Sequence, residues 1–233
     1  MNWTEFKENL SSLGITISEE QINQFKKYLS LLQEWNEKMN LTAIVDEEEA
    51  IEKHFYDSLY SLKEYDYDDQ SLLDLGSGAG FPGIPLKIVF PNLYVTLLEP
   101  TTKRVTFLNE VIKELGLKGI VTVNKRAEDY VKDVREYYDI VTARAVANMQ
   151  VLMELAIPLL RVGGTFIALK GSKGHQEHEE SKHAQKELNL ELIKSQSWSL
   201  ASGDQRINLF YKKTKETLLK YPRPYGQIKK KPL

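Results

Sequence analysis

The stretch LLDLGSGAGFPGIPL at residues 72–86 decides the fold of this chain. An apolar run that contains Asp74 leads into glycines at three alternate positions, Gly76, Gly78 and Gly80. In an open α/β sheet, ligands bind outside the carboxyl ends of the strands, and glycines let backbone N–H groups approach a ligand where a Cβ would collide. The stretch therefore predicts a β-strand followed by a ligand-binding loop.

Short β-type runs alternate with helical patterns after residue 70. Helical spacings occur at 102–116 and 149–163, and we predict a polar helix and a loop between the last two strands. Strand, helix and strand repeated in this way imply right-handed crossovers and a mostly parallel sheet covered on both faces. The pattern predicts a doubly wound α/β fold. Its expected strands are 71–75, 93–99, 119–123, 138–146, 165–170 and 206–213.

Two helical patterns precede the first strand. Ser18 followed by Gln21 fits a capping box and predicts a helix over 18–45, and a second apolar face predicts a helix over 46–62. We expect an N-terminal helical extension that packs on the core, followed by the α/β domain with a basic C-terminal tail. The expected boundaries of these two parts are 1–66 and 67–233.

The composition is that of a soluble globular protein. The 233 residues are 42% hydrophobic and 27% charged, and the longest apolar runs are too short to span a bilayer. The first ten residues lack the basic and apolar regions of a secretory signal, so we expect a cytoplasmic protein with no membrane partner. The absence of cysteine excludes thiolate nucleophiles and thiolate metal sites.

Charge is unevenly distributed along the chain, although the net charge is only −2. Residues 1–70 hold 16 acidic and 6 basic side chains, whereas the remaining residues hold 17 acidic and 25 basic ones. Residues 206–233 alone hold nine Lys or Arg against one Glu. A basic end of this kind favours an anionic partner, although a solvated tail explains it equally well.

A nucleotide-like cofactor is the ligand that the glycine loop favours. The second strand ends at Glu99, 23 residues after Gly76, where a carboxylate can accept both hydroxyls of a ribose. Pro82 and Pro85 interrupt the helix that a dinucleotide fingerprint would need, and no P-loop lysine is present. The spacing instead resembles motif I of class I S-adenosylmethionine-dependent methyltransferases.

Eight segments together resemble one family, the ribosomal RNA small subunit methyltransferase G family, also called glucose-inhibited division protein B. The resemblance runs from about Trp35 to the C-terminus. The segments are EWNEKMNLTAI (34–44), KHFYDSL (53–59), LLDLGSGAGFPGIPLKI (72–88), EPTTKRVTFL (99–108), RAED (126–129), VTARAVA (141–147), ALKG (168–171) and YPR (221–223). Two features depart from the family pattern: Glu99-Pro100 stands where an aspartate and a serine are expected, and the tail YGQIKKKPL replaces a proline- and asparagine-containing ending.

The resemblance implies transfer of a methyl group from S-adenosylmethionine to N7 of a guanine in the decoding region of 16S rRNA. Its expected partner is small-subunit rRNA or the 30S subunit, with neither metal nor oligomer required. It also implies that Arg144 lines the pocket near the reacting methyl as the catalytic residue. The cofactor-binding residues that we assign are Gly76, Ser77, Gly78, Phe81, Glu99, Ala127, Glu128 and Arg144.

The residue types agree with that chemistry. Guanine N7 carries an unprotonated in-plane lone pair at neutral pH, so alignment rather than a general base is needed. The chain lacks the cysteine of C5-pyrimidine methylation, and its fourth strand ends in TARAV rather than in the motif of exocyclic-amine enzymes. Since side chains do not reach N7 inside an RNA helix, the target guanine must be exposed.

Several residues have competing interpretations. A charged Arg144 in an apolar strand needs a polar partner, either a ligand or a structural acid such as Asp74 or Glu128. His54, Asp57 and Ser58 have the composition of a hydrolase triad, but their spacing places them along one helix face and favours local hydrogen bonds. The three histidines at 175, 178 and 183 lie in a polar stretch that favours a solvated helix over a metal site.

Four basic residues at strand ends or in the matched tail are our predicted RNA contacts: Lys103, Arg104, Lys170 and Arg223. Two other functions stay open. One is a small-molecule methyltransferase, and the other is a non-catalytic RNA-binding or ribosome-assembly protein on the same fold.

Overall fold

One sheet organises the protein in the computed structural model, which describes residues 1–44 and 46–233. Its strands in chain order are β1 (Ser71–Leu75), β2 (Tyr94–Leu98), β3 (Ile120–Val123), β4 (Tyr138–Arg144), β5 (Leu160–Gly171), β6 (Leu190–Ser199) and β7 (Gln205–Lys213). Across these described residues the order is β3-β2-β1-β4-β5-β7-β6. The sheet agrees with six of the predicted strands and adds one.

The strand pairing is mostly parallel. β1 pairs in parallel with β4, β2 with β3, and β4 with β5, whereas β7 runs antiparallel to both β5 and β6. The predicted doubly wound α/β sheet is confirmed. From β1, strands β2 and β3 follow on one side, whereas β4 and β5 follow on the other. Open α/β sheets bind ligands at such a switch point in the strand order.

The chain forms two compact units. The first unit comprises Met1–Gln70 and Ser77–Asn124, and the second comprises Ser71–Gly76 and Lys125–Leu233. The predicted parts, 1–66 and 67–233, do not coincide with these two units, and that division stays a prediction.

The long helix of the first unit begins as predicted. The Ser18 hydroxyl accepts from the N–H of Gln21 at 3.2 Å, and the Gln21 side chain accepts from the N–H of Ser18 at 2.9 Å. The helix ends at Met39 rather than at residue 45, because Asn40 takes a left-handed φ of +50°. Residue 45 lies outside the described residues. The first two helices are α1 (Trp3–Ser12) and α2 (Glu19–Met39).

The predicted helix over 46–62 is divided into short helical segments. These are α3 (Glu47–Ala50), a π-helical turn (Ile51–Tyr56), α4 (Asp57–Leu59) and a 3₁₀ turn (Tyr60–Lys63). The apolar face of Ile51, Phe55, Leu59 and Leu62 is buried as the spacing predicts. The Phe55 ring lies 5.0 Å from that of Phe25 on α2, so this face closes the core of the first unit. Two further helices follow, α5 (Gly83–Val89) and α6 (Thr102–Glu114).

Two predictions fail in the second unit. The helix expected over 149–163 ends early, because Pro158 has no N–H to continue it, and β5 begins at Leu160. The loop expected before the last strand is β6, an edge strand whose side chains are mostly exposed, so its sequence shows no apolar alternation. The helices of this unit are α7 (Ala127–Tyr130), α8 (Met149–Ala156), α9 (Gly174–Glu180), α10 (Lys182–Glu187) and α11 (Tyr225–Lys230).

Among the described residues, no helix combines the length and the apolar character that a bilayer span requires.

Candidate functional site

The glycine loop of the first unit is held by its own backbone. Gly78 and Gly80 have φ values of +60° and +102°, which favour glycine. The N–H groups of Gly80 and Phe81 both donate to the Ser77 carbonyl, at 2.7 and 3.0 Å. The Ser77 N–H donates to Leu98 at the end of β2, at 3.3 Å. The loop is therefore a defined turn beside the end of β2.

The Glu99 carboxylate holds this loop in place through a hydrogen bond to its backbone. One carboxylate oxygen accepts from the N–H of Gly78 at 3.0 Å, and the other accepts from the N–H of Thr101 at 2.9 Å. Glu99 is only 2% exposed, and Arg104 Nη1 lies 3.8 Å from its Oε2 atom. A carboxylate has about four lone-pair positions, so each oxygen retains capacity for one hydroxyl. By this count, each oxygen has one lone-pair position that the N–H groups of the loop do not occupy.

An aromatic stack supports the same loop from the helical part of the first unit. The Phe81 ring stacks on His54 with centroids 4.6 Å apart and on Tyr28 with centroids 5.5 Å apart. The Tyr28 hydroxyl donates to the carbonyl of Ala79. His54 Nε2 and the Thr42 hydroxyl are 2.8 Å apart. Helix α2 and the π-helical turn therefore fix the position of the loop.

The arrangement of Ser58 does not form a hydrolase triad. Its hydroxyl donates to the backbone carbonyl of His54 at 2.5 Å, and the His54 ring contacts Thr42 and Phe81. Ser58 and Asp57 are both buried on the same short helical run as His54. This geometry agrees with the local hydrogen bonds that the spacing favours.

The switch point of the second unit brings Asp74 and Arg144 to one edge of the sheet. Asp74 pairs in register with Thr142, two residues before Arg144, and it is completely buried. Gly76 follows β1 with a φ of +71°, and a Cβ at this position would lie 2.7 Å from Val146 Cγ2. Arg144 itself is partly exposed and ends β4.

The two residues assigned to the adenine side of the cofactor begin helix α7. Ala127 is buried and Glu128 is partly exposed. Arg126 precedes them in extended conformation, with its guanidinium 5.7 Å from the centre of the Tyr225 ring. The predicted motif thus lies at the start of a short helix that follows β3.

The four predicted RNA contacts differ in their surroundings. Lys103 is exposed, and the side chain of Arg104 is 44% exposed. Lys170 is 8% exposed, and its Nζ donates to the Ala147 carbonyl at 2.6 Å and lies 2.7 Å from Glu177. The Arg223 guanidinium donates two hydrogen bonds to Glu154, which raise its pKa above the ordinary value. The charges of Lys170 and Arg223 are therefore neutralised within the protein.

Comparison with known proteins identifies the family. The family model described as rRNA small subunit methyltransferase G matches residues 21–218. A ribosomal RNA small subunit methyltransferase G from Streptococcus thermophilus is 48% identical over 233 residues, which cover 98% of each chain. The protein of the same name from Streptococcus gordonii is 48% identical over 236 residues, again with 98% of each chain covered. This chain belongs to the rRNA small subunit methyltransferase G family.

Solved structures agree with the fold of this methyltransferase. TYW2 from M. jannaschii, crystallised with AdoMet, superposes with a TM-score of 0.58 at 16% identity, over 73% of this chain and 79% of that one. A ribosomal protein L11 methylase from Lactobacillus delbrueckii subsp. bulgaricus superposes with a TM-score of 0.53 at 16% identity, over 70% and 79%. The predicted family, enzyme class and S-adenosylmethionine cofactor are confirmed.

The sequence did not predict the contacts of two residues of this methyltransferase, Tyr28 and Glu154. Tyr28 fits the apolar spacing of α2, which predicts burial but not a hydrogen bond to a loop 51 residues away. Glu154 lies in the apolar run of α8, where an acid is unusual, and that signal predicts a basic partner without saying which one.

The three histidines do not form a metal site. His178 is buried with Nδ1 2.7 Å from the Tyr211 hydroxyl, whereas His175 and His183 are exposed. Burial and the nearby Lys182 ammonium lower the pKa of His178 below its ordinary value. In the described part of the chain, no group of three or more His, Cys, Asp or Glu side chains is arranged to hold a metal ion.

Proposed function

We propose that this methyltransferase acts in the cytoplasm on N7 of a guanine in the decoding region of 16S rRNA. The observation that carries the proposal is family membership over nearly the whole chain, at 48% identity to relatives named for small-subunit rRNA. The substrate form would be rRNA or the 30S subunit, and a single chain would suffice.

The first unit offers donors and acceptors that fit S-adenosylmethionine. Glu99 is buried at the end of β2, and its two oxygens retain capacity for the two ribose hydroxyls. Gly78 presents backbone at a positive φ next to that carboxylate, and Ser77 and Phe81 flank it in the same turn. We assign Glu99 to the ribose and the loop to the neighbouring part of the cofactor.

The second unit supplies the other assigned residues. Ala127 and Glu128 at the start of α7 would bind the adenine side, and Gly76 would border the cofactor after β1. Arg144 would line the pocket near the reacting methyl, as the residue that positions the target base. These roles come from the family resemblance, and the location of Arg144 at the end of a strand beside the switch point supports them.

Alignment is the chemistry that these residues would perform. S-adenosylmethionine, when bound, supplies a methyl group on a positively charged sulfur. Guanine N7 has its own lone pair, so the protein needs no side chain to remove a proton before attack. The rate enhancement would come from holding the base and the cofactor in line and from excluding water.

In the first unit, we assign RNA contact to Lys103 and Arg104. Lys103 is exposed and the Arg104 side chain is 44% exposed at the start of α6, where they are able to reach phosphates. Arg104 also lies 3.8 Å from Glu99, so it would connect the RNA surface with the ribose-binding acid. Lys170 and Arg223 already have acidic partners, and we propose that their contribution to RNA binding is indirect.

Methyl incorporation tests the proposal directly. The purified protein and radiolabelled S-adenosylmethionine would be incubated with 30S subunits from a strain that lacks this enzyme, and separately with small phenols and amines. We expect label in the RNA, at one nucleotide that mass spectrometry identifies as N7-methylguanosine. Gly78→Val serves as the control, because it places a branched side chain at a φ of +60° beside Glu99.

Three other outcomes would contradict the proposal in different ways. Label in phenols or amines alone would indicate a small-molecule methyltransferase. RNA binding without transfer would indicate an assembly protein. Label at another guanine atom would leave the enzyme class intact and overturn N7.

A further inference from the structure

A buried ion pair attaches the C-terminal segment to the second unit. Glu154 on α8 is completely buried, and it accepts three hydrogen bonds from Arg223. The donors are the backbone N–H at 2.9 Å, Nε at 2.7 Å and Nη2 at 2.6 Å. A two-pronged contact between Arg and a carboxylate fixes orientation as well as charge, so the chain at Arg223 has one defined position.

The same guanidinium also reaches the end of α11. Arg223 Nη2 donates to the Lys231 carbonyl at 3.1 Å, and Ile228 between them is completely buried. Upstream, the Arg135 guanidinium donates to the carbonyls of Thr217 and Tyr221, at 3.0 and 2.9 Å. The segment is therefore fixed before, within and after α11, although its sequence resembles a solvated tail.

This fixed helix presents unneutralised positive charge. Lys229, Lys230 and Lys231 are all exposed, and in the described residues no ion pair includes any of the three. No acidic side chain occurs anywhere in residues 217–233. The exposed ring of Tyr225, at the start of the helix, lies against Arg126, which adds a fourth cation and an aromatic face. The fold does not use these lysine charges, so they are available to a partner.

We propose that α11 with Lys231 is a binding surface for the phosphates of small-subunit rRNA, and that Arg223 positions this surface without contacting RNA. The inference rests on the proposed function. Lysines are mobile point charges that suit backbone phosphates, and an exposed tyrosine is able to stack on an unpaired base. A lipid surface fits poorly, because the helix directs its one aliphatic side chain of size, Ile228, into the protein.

The α11 surface lies close to the residues that are assigned to the adenine side of the cofactor. Arg126 immediately precedes Ala127 and Glu128, which are assigned to the adenine side of the cofactor, and it contacts Tyr225 at 5.7 Å. RNA held by α11 would therefore lie next to the start of α7 within the second unit.

The test replaces Lys229, Lys230 and Lys231 with glutamine in the full-length protein. Three phosphate contacts contribute a slope of about 2 to 3 to the dependence of log affinity on log salt. We therefore expect the slope for 30S subunits to fall by about 2, and the affinity at 0.1 M salt to fall about 100-fold. A triple variant at exposed positions of the first unit, Lys38→Gln, Lys63→Gln and Lys118→Gln, removes the same charge and should change both quantities much less.

A double-mutant cycle tests the positioning role of Arg223. Arg223→Lys keeps the charge and loses the two-pronged contact with Glu154, so it should weaken RNA binding in the wild-type background. In the triple lysine variant it should cause no further loss, because the charges that it positions are gone. An equal loss in both backgrounds would show that Arg223 contacts RNA itself, and no loss in either would also overturn the positioning role. Should Arg223→Lys fail to fold, the exposed lysine variant alone decides the surface.

Methyl transfer by the wild type separates this inference from the proposed function. A wild type that methylates 30S subunits, together with a triple lysine variant of unchanged affinity and salt slope, would overturn the α11 surface and leave the enzyme intact. A wild type that neither binds nor methylates rRNA would overturn both. Equal losses in the α11 variant and its charge-matched control would show that only net charge matters, which also overturns the surface.

Discussion

Replacing Glu99 with glutamine tests whether one carboxylate holds both the glycine loop and the cofactor. Its two oxygens accept from the N–H groups of Gly78 and Thr101, at 3.0 and 2.9 Å. A glutamine amide has one acceptor and one donor end, so in either orientation one of these N–H groups faces another donor. The substitution therefore removes charge and also leaves a hydrogen-bond conflict at a buried position.

The expected loss of stability follows from these two contacts. A hydrogen bond to a charged group contributes about 1.5–3 kcal/mol, a neutral one about 0.5–1.5 kcal/mol, and a buried donor left unpaired costs about 1–3 kcal/mol. We expect the free energy of unfolding to fall by about 2–4 kcal/mol, which lowers Tm by about 5–15 °C for a chain of this size. The weaker acceptor should also reduce S-adenosylmethionine affinity by about 10- to 150-fold.

Calorimetric titration with S-adenosylmethionine and thermal unfolding without it measure the two effects separately. Glu37→Gln, an exposed carboxylate on α2, is the matched control and should change neither quantity. Wild-type affinity and wild-type Tm for the Glu99 variant would refute the reasoning. A lowered Tm with wild-type affinity would confine Glu99 to fastening the loop and assign the ribose to another residue.

Three further predictions have separable outcomes. Tyr28→Phe keeps the ring on Phe81 but removes the donor to the Ala79 carbonyl, so urea titration should show a loss of about 1–3 kcal/mol in stability. Burial lowers the pKa of His178 in the folded state, so below about pH 6.5 the unfolded state binds more protons than the folded state. The free energy of unfolding should therefore fall from pH 7 to pH 5. His178→Gln should make that fall smaller in urea titrations. Lys103→Ala should weaken RNA binding alone. Arg104→Ala also removes the neighbour of Glu99, the acid that we propose holds the ribose, so it should weaken both RNA and cofactor binding in paired titrations.

Each of these three predictions has its own contradicting result. Unchanged stability of Tyr28→Phe would mean that the loop does not depend on the hydroxyl. An identical pH profile for the histidine variant would place the acid-sensitive group elsewhere. Wild-type cofactor affinity for Arg104→Ala would restore the simpler expectation that the start of α6 serves RNA only.

The local parts of the fold and site were predictable from the sequence. β1 was predicted at 71–75 and is observed at Ser71–Leu75, because a buried strand followed by glycines is a local signal. Ser18 and Gln21 predicted the start of α2 for the same reason. Edge strand β6 could not be predicted, since its order depends on hydrogen bonds to β7 and not on an apolar face of its own.

The partners of buried charges were not predictable, because the fold and not the spacing in sequence decides which charges meet. Arg223 and Glu154 are 69 residues apart, and only the fold shows that one neutralises the other. Lys170 lies seven residues before Glu177, yet the sequence does not reveal that the ammonium is buried against it. The excess of bases in the second part of the chain thus includes structural cations and free ones. The exposed lysines of α11 belong to the free group.

Packing, and not a ligand, explains two of the three alternate glycines. A Cβ at Gly76 would lie 2.7 Å from Val146, and one at Gly80 would lie 2.6 Å from the Tyr28 hydroxyl, so packing within each unit already requires glycine at both positions. Gly78 differs, because its N–H donates to a buried carboxylate that retains acceptor capacity. The pair of Gly78 and Glu99, rather than the three alternate glycines, therefore carries the assignment of the cofactor to this loop. The same motif in another chain would predict a ligand only where such an acid ends the second strand.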